Sequence, residues 1–173
     1  LWKFVVESDP ETIMNWLTFK YIEDVMSKDD AYNILKENQK YKKKRTEIIL
    51  KEGYPSYTTA AGWLGYSDEK TIDLCKQYME KGWRHFKIKV GLNLEQDVKR
   101  LEIIRNTIGD QCSIMVDANQ QWSVNQSIKH INAYKKFNLL FVEEPTSPDD
   151  VMGFKKIKEA VGKVNLATGE ACG

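Results

Sequence analysis

Nowhere does this sequence stay apolar for the 18 or so residues that a helix needs to cross a bilayer. Nor is charge of one sign in excess: 26 Lys and Arg stand against 25 Asp and Glu. That balance calls for neither a nucleic-acid partner nor a membrane surface. No basic leader precedes an apolar stretch, and the first residue is Leu1 rather than Met. The reading is of a chain whose true beginning is missing. Cysteine is scarce and odd in number (Cys75, Cys112 and Cys172), with no C-x-x-C spacing. That excludes a disulfide framework and reads as free thiols in a reducing compartment. Histidine is limited to His85 and His130, which leaves little for a cysteine nucleophile to work with.

What is present changes character along the chain. Over residues 1–53 the pattern is helical, with helices expected from Pro10 to Phe19 and from Lys28 to Leu50. Asp9-Pro10-Glu11 makes a helix start, with proline in the first turn beside an acid. The run Lys42-Lys43-Lys44-Arg45 lacks interleaved aromatics, so it reads as a solvated helix face rather than a nucleic-acid patch.

From residue 54 onward short β-type runs alternate with longer amphipathic stretches. The β-type runs are Tyr57 to Ala61, His85 to Val90, Ser113 to Val116, Leu139 to Glu143 and Val164 to Thr168. Helices are expected at Asp68 to Lys81, Leu94 to Ile108, Val124 to Phe137 and Pro148 to Val161. Ser67, Asn93, Ser123 and Ser147 mark starts, and Gly82, Gly109 and Gly162 mark ends. Such alternation implies an α/β fold with a parallel sheet and helical crossovers. Periodicity alone does not choose between a doubly wound sheet and a barrel.

Charge placement helps to choose. Lys87 and Lys89 lie two apart on one strand, so they share a face. Buried lysine is rare unless anions meet it. Asp117, Glu143 and Glu170 each follow an apolar run, spaced 26 and 27 residues apart, and Lys89 precedes Asp117 by 28. One βα unit of a (β/α)8 barrel occupies about this length, and equivalent strand ends converge on one mouth. Like charges about 4 Å apart repel by roughly 4 kcal/mol at an effective dielectric near 20. A divalent cation would remove that cost, and all-oxygen ligands favour a hard one, Mg²⁺. Glu143 and Glu144 are neighbours, and the alternation does not say which points inward. A single strand-end acid is more often a cap or a loop ion pair. Three in phase with a lysine pair are not.

Together, Lys87-Ile88-Lys89, Asp117-Ala118-Asn119, Glu143-Glu144-Pro145 and Gly169-Glu170 resemble the enolase superfamily, in its mandelate-racemase-like subgroup. Tyr57-Thr58-Thr59, Trp63 to Ser67 and Glu143 to Asp150 resemble its L-fuconate dehydratase branch. The resemblance implies a partial TIM-type (β/α)7β barrel of about five βα units in residues 54–173, truncated after the fifth strand. It also implies an α+β capping domain in the parent protein. By the same resemblance Asp117, Glu143 and Glu170 hold Mg²⁺, and Lys89 removes the proton next to a substrate carboxylate. Lys87 helps to hold the carboxylate or enediolate, and Asn119 lines the metal site. The implied reaction is dehydration of an acid sugar, such as L-fuconate, to a 2-keto-3-deoxy acid. The compartment implied is mitochondrial or cytoplasmic, and a homo-oligomer is an open expectation.

A lysine base must be neutral to take a proton, which a cationic neighbour favours and carboxylates oppose. The family also needs a late histidine acid, for which neither His85 nor His130 is in place. The expectation is therefore a piece that is inactive or poorly folded alone, with an enzyme as parent. A racemase of the same family, a spliced product with a binding role, and an aldolase using Lys87 or Lys89 are the competing readings. An imine-forming lysine would need no metal, which counts against the aldolase.

Overall fold

The computed structural model describes residues 2–170, so Cys172 lies outside the described residues. The chain divides into two compact units, Leu1–Pro55 and Ser56–Gly173. Among the described residues no helix is long and apolar enough to cross a membrane.

The first unit is helical: α1 (Trp2–Glu7), α2 (Pro10–Trp16), α3 (Lys28–Lys40) and α4 (Lys42–Glu52). Asp9 caps α2 by accepting from the Thr12 N–H at 2.8 Å, with Pro10 in the first turn. Ser27 and Asp30 form a reciprocal capping box at the start of α3. The single helix expected over Lys28 to Leu50 is in fact two, broken at Tyr41 (φ −103°, ψ 7°). Cations suit a helix C-terminus, so Lys40 favours an end there, whereas continuation would stack Lys40 on Lys44. Arg45 Nη2 donates to the Asn38 carbonyl at 2.5 Å and satisfies a group freed near the break. Helix α2 ends three residues short of Phe19, and α1 has no strong sequence signal. The basic run lies on α4, which is exposed along its length.

In the second unit, parallel strands β1 (His85–Lys89), β2 (Ser113–Asp117), β3 (Leu139–Glu143) and β4 (Leu166–Ala167) lie side by side in sequence order. Helices α5 (Asp68–Glu80), α6 (Leu94–Ile108), α7 (Val124–Tyr134) and α8 (Val151–Val161) alternate with them. Consecutive parallel neighbours joined by helices make an arc of a (β/α) barrel. Ser67, Asn93 and Ser123 cap α5, α6 and α7 as their positions imply. Before α8 the cap is Asp150, which accepts from the Gly153 N–H at 2.7 Å, so the helix starts at Val151 and not at Pro148. The last turn expected of α7 tightens into a 3₁₀ segment, Lys135–Phe137, closed by Asn138 in the left-handed region.

The run from Tyr57 to Ala61 is not a strand. Only Thr58 pairs, with Phe86 of β1, before the chain turns through Thr59 and Gly62. Gly62 is forced by packing: a Cβ there would stand 2.4 Å from the Lys87 carbonyl oxygen.

Strand alternation separates two faces. Phe86, Ile88, Ile114, Val116 and Val142 meet Leu101, Ile104, Ile108, Ile131 and Ile157 in one buried core. Each such side chain contributes about 1.5–3 kcal/mol when fully buried. The opposite face carries Lys87 and Lys89 on β1, Asp117 on β2 and Glu143 on β3. The core thus fixes the register that aims the charged groups.

Candidate metal centre

Register places the charged side chains in one rank. Lys89 pairs with Asp117 across β1 and β2, Asp117 with Glu143 across β2 and β3, and Glu143 with Ala167 across β3 and β4. All are at the C-terminal ends of their strands. Glu170 follows β4 in a turn, three residues beyond the rank.

One carboxylate oxygen from each of Asp117, Glu143 and Glu170 lies within 4.8 Å of the other two. A six-coordinate ion with ligands at about 2.0–2.1 Å separates adjacent oxygens by about 3 Å and opposite ones by about 4.2 Å. The triad is within small side-chain adjustments of that spacing. Its donors are all oxygen, which suits a hard divalent cation rather than a thiophilic one. Asp117 is fully buried, Glu143 half-buried and Glu170 exposed, so the cluster opens to solvent on the Glu170 side.

The two ammonium groups stand against these acids. Lys87 Nζ donates to Glu143 at 2.7 Å and lies 3.5 Å from Asp117. Lys89 Nζ donates to Asp117 at 2.7 Å and to Asn119 Oδ1 at 2.6 Å. Their exposures differ: 9% of the Lys87 side chain is accessible against 34% for Lys89, so Lys89 is the lysine that meets solvent. Burial pulls the Lys87 ammonium down, but its contacts with Glu143, Tyr57 and Asp117 outweigh that and raise its pKa above the ordinary lysine value. Its contacts with these two carboxylates favour the charged form of Lys87.

Asn119 (φ 44°) and Gln120 (φ 64°) both adopt the left-handed region, which is strained for non-glycine residues. The bend is held by the Asn119 N–H donating to Asp117 Oδ1 at 3.0 Å and by the Gln120 N–H donating to the Glu144 carbonyl at 2.8 Å. It turns the Asn119 amide back toward Lys89. Glu143 joins the triad, while Glu144 turns away into the protein, 1% exposed and accepting from Gln120 Nε2 at 3.2 Å.

Every residue singled out in the sequence (Lys87, Lys89, Asp117, Asn119, Glu143 and Glu170) is brought to this cluster. Tyr57 was missed; its ring lies 4.8 Å from the Lys87 ammonium as a cation–π partner. It sits in a non-repetitive segment, where periodicity carries no information. His85 opens β1 at the far end of the strand, and His130 is on α7.

The family described as Enolase C-terminal domain-like matches residues 70–173. The chain belongs to the enolase superfamily. Among members of that superfamily, human mitochondrial enolase superfamily member 1 has a crystal structure that superposes with a TM-score of 0.90 at 44% identity, over 99% of this chain and 39% of its own. The L-galactonate dehydratase of Hypocrea jecorina is 41% identical over 99% of this chain and 39% of its own. An L-talarate/galactarate dehydratase, in a mutant structure liganded with Mg and L-glucarate, is 33% identical with a TM-score of 0.63, over 66% of this chain and 29% of its own. This chain therefore spans about two fifths of the length of the first two.

Proposed function

We propose that this chain carries the metal ligands and the base of a Mg²⁺-dependent acid-sugar dehydratase, acting on L-fuconate or a close analogue. Residues 54–173 are the N-terminal part of its barrel and residues 1–53 a helical segment ahead of it. The observation that carries the reading is the triad: three carboxylate oxygens within 4.8 Å, faced by two same-side lysines. Magnetically silent, redox-inert Mg²⁺ fits the all-oxygen donor set, and a relative of 33% identity is liganded with it. Asp117, Glu143 and Glu170 would hold it, and it would supply a Lewis acid for negative charge on a substrate carboxylate.

The chain's own groups account for proton abstraction and for stabilising the charge it creates. Lys89, at the open edge of the cluster, removes the proton next to the carboxylate once it has given up its own. The proton is weakly acidic, and its loss leaves an enediolate. Lys87 stays charged and adds electrostatic stabilisation where that charge develops. Asn119 Oδ1, 2.6 Å from Lys89 Nζ, orients the amine. Loss of the neighbouring hydroxyl as water takes a proton from an acid, the role the resemblance gives to a late-barrel histidine, and the enol so formed tautomerises to the 2-keto-3-deoxy acid. The names of the animal relatives favour a mitochondrial setting, and a homo-oligomer is compatible with the reading.

A panel of acid sugars incubated with the whole protein and Mg²⁺ tests this, with 2-keto-3-deoxy product as the readout. Turnover is expected, and Lys89→Ala abolishes both product and exchange of the substrate C2 proton with D₂O. Exchange without loss of water would favour a racemase of the same superfamily. Undiminished turnover by Lys89→Ala, or with the metal chelated, would refute the proposal.

A further inference from the structure

Outside the cluster, buried polar side chains also meet between α6 and α7. Asp97, in the first turn of α6, is fully buried. A carboxylate in that position is expensive unless it is used. It is not used on its own helix terminus, which Asn93 caps through the Gln96 N–H. Instead its Oδ2 reaches back to accept from the Gly91 N–H at 2.9 Å, and the same oxygen accepts from the Tyr134 hydroxyl of α7 at 3.0 Å.

Gly91 follows Lys89 by two residues. The amides of this segment are held in turn by three different partners. Lys89 N–H donates to the Gly62 carbonyl at 2.9 Å, Val90 N–H to the Asp117 carbonyl at 3.0 Å, and Gly91 N–H to Asp97. Where the sheet ladder runs out, a side chain takes over. Gly91 (φ 118°) also presses on the loop after β2: a Cβ there would be 3.2 Å from the Gln121 side chain. Tyr134 in turn packs beside Trp122 of that loop, with ring centroids 6.1 Å apart.

We propose that Asp97, with Tyr134, is a positioning residue that sets the end of β1, and so the Lys89 amine, against the β2 end that carries Asp117 and Asn119. The inference rests on the reading of Lys89 as the base. Neither residue touches the cluster; both act through the Gly91 amide and the two loops. A displacement of about 1 Å at a reacting group costs up to about 100-fold in rate.

The test has two arms on the whole protein. In the first, hydrogen–deuterium exchange is followed without metal or substrate. Asp97→Ala is expected to speed exchange over residues 89–91, and Tyr134→Phe to do so more weakly. In the second, kcat and KM are measured with an acid sugar. Asp97→Ala is expected to lower kcat about 10- to 100-fold with KM within about 3-fold. Asp97→Asn, whose amide oxygen still accepts from Gly91, should recover most of the loss. Tyr134→Phe removes a single hydroxyl and carries both arms if Asp97→Ala fails to fold. Unchanged exchange in both variants, or a kcat loss that Asp97→Asn shares in full, would overturn the inference. So would a lowered melting temperature with unchanged kcat. If the unsubstituted protein turns over no acid sugar, the proposed reaction falls, while the exchange arm still decides whether Asp97 sets the strand end.

Discussion

Replacing Lys87 with methionine keeps the length of the side chain and deletes its charge. In the structure that charge lies 2.7 Å from Glu143 and 3.5 Å from Asp117. At an effective dielectric near 20 these attractions amount to roughly 6 and 5 kcal/mol. Against them stands the cost of burying the ammonium, several kcal/mol, which the variant no longer bears. Breaking a buried pair by removing one partner typically costs about 3–5 kcal/mol. The lower end applies here, because Lys89 remains 2.7 Å from Asp117. A loss of about 3 kcal/mol corresponds to a fall of roughly 6–12 °C in the melting temperature for a chain of this size. The assay is thermal unfolding of Lys87→Met and its parent at pH 7, each with EDTA and with about 5 mM MgCl₂. A divalent cation among the three acids replaces the lost positive charge. Mg²⁺ should therefore raise the melting temperature of the variant more than that of the parent. A variant that melts within about 2 °C of the parent in EDTA, or an equal response to Mg²⁺, would refute the electrostatic account of the cluster.

Gly62→Ala should destabilise by about 1–3 kcal/mol, because its methyl meets the Lys87 backbone carbonyl rather than a yielding side chain. A urea midpoint equal to the parent's would contradict that packing. Burial holds the His130 imidazole below its ordinary pKa, a neighbouring Asp97 opposing and Lys129 reinforcing the shift. Below about pH 6.5 the unfolded chain takes up a proton that the folded one refuses, so this contribution is intact above that pH and lost as pH falls below it. His130→Gln should flatten the decline of the urea midpoint between about pH 7.5 and 5.5. An unchanged slope would mean that another group governs it.

The site was legible in the sequence because its residues repeat with the period of the βα unit, and each acid interrupts an apolar run where polarity has no place in a core. The crossover helices were legible through their caps, with Ser67, Asn93 and Ser123 all in position. Four features were less visible. The Tyr57 segment has β-type composition, but its backbone leaves the sheet after one bridge because Gly62 turns it against β1. The break at Tyr41 depends on helix-end electrostatics that apolar periodicity does not register. The choice between Glu143 and Glu144 lay in the register, which sets Glu143 opposite Asp117 and Ala167, while Glu144 is buried and accepts from the Gln120 amide. Asp97 carries no signal of its own in the sequence, because acids are ordinary in the first turn of a helix; only the fold reveals the amide it faces.

Lys89, Asp117, Glu143 and Ala167 occupy corresponding positions on four adjacent strands, and neighbouring strands are about 4.8 Å apart. The sheet is thus a ruler with evenly spaced marks, on which each charged group is set by the choice of one residue. The fourth mark carries only a methyl group, and the third acid is supplied from Glu170 above it. Position 167 is a vacant graduation where a new donor could be written without moving any side chain that faces the helices.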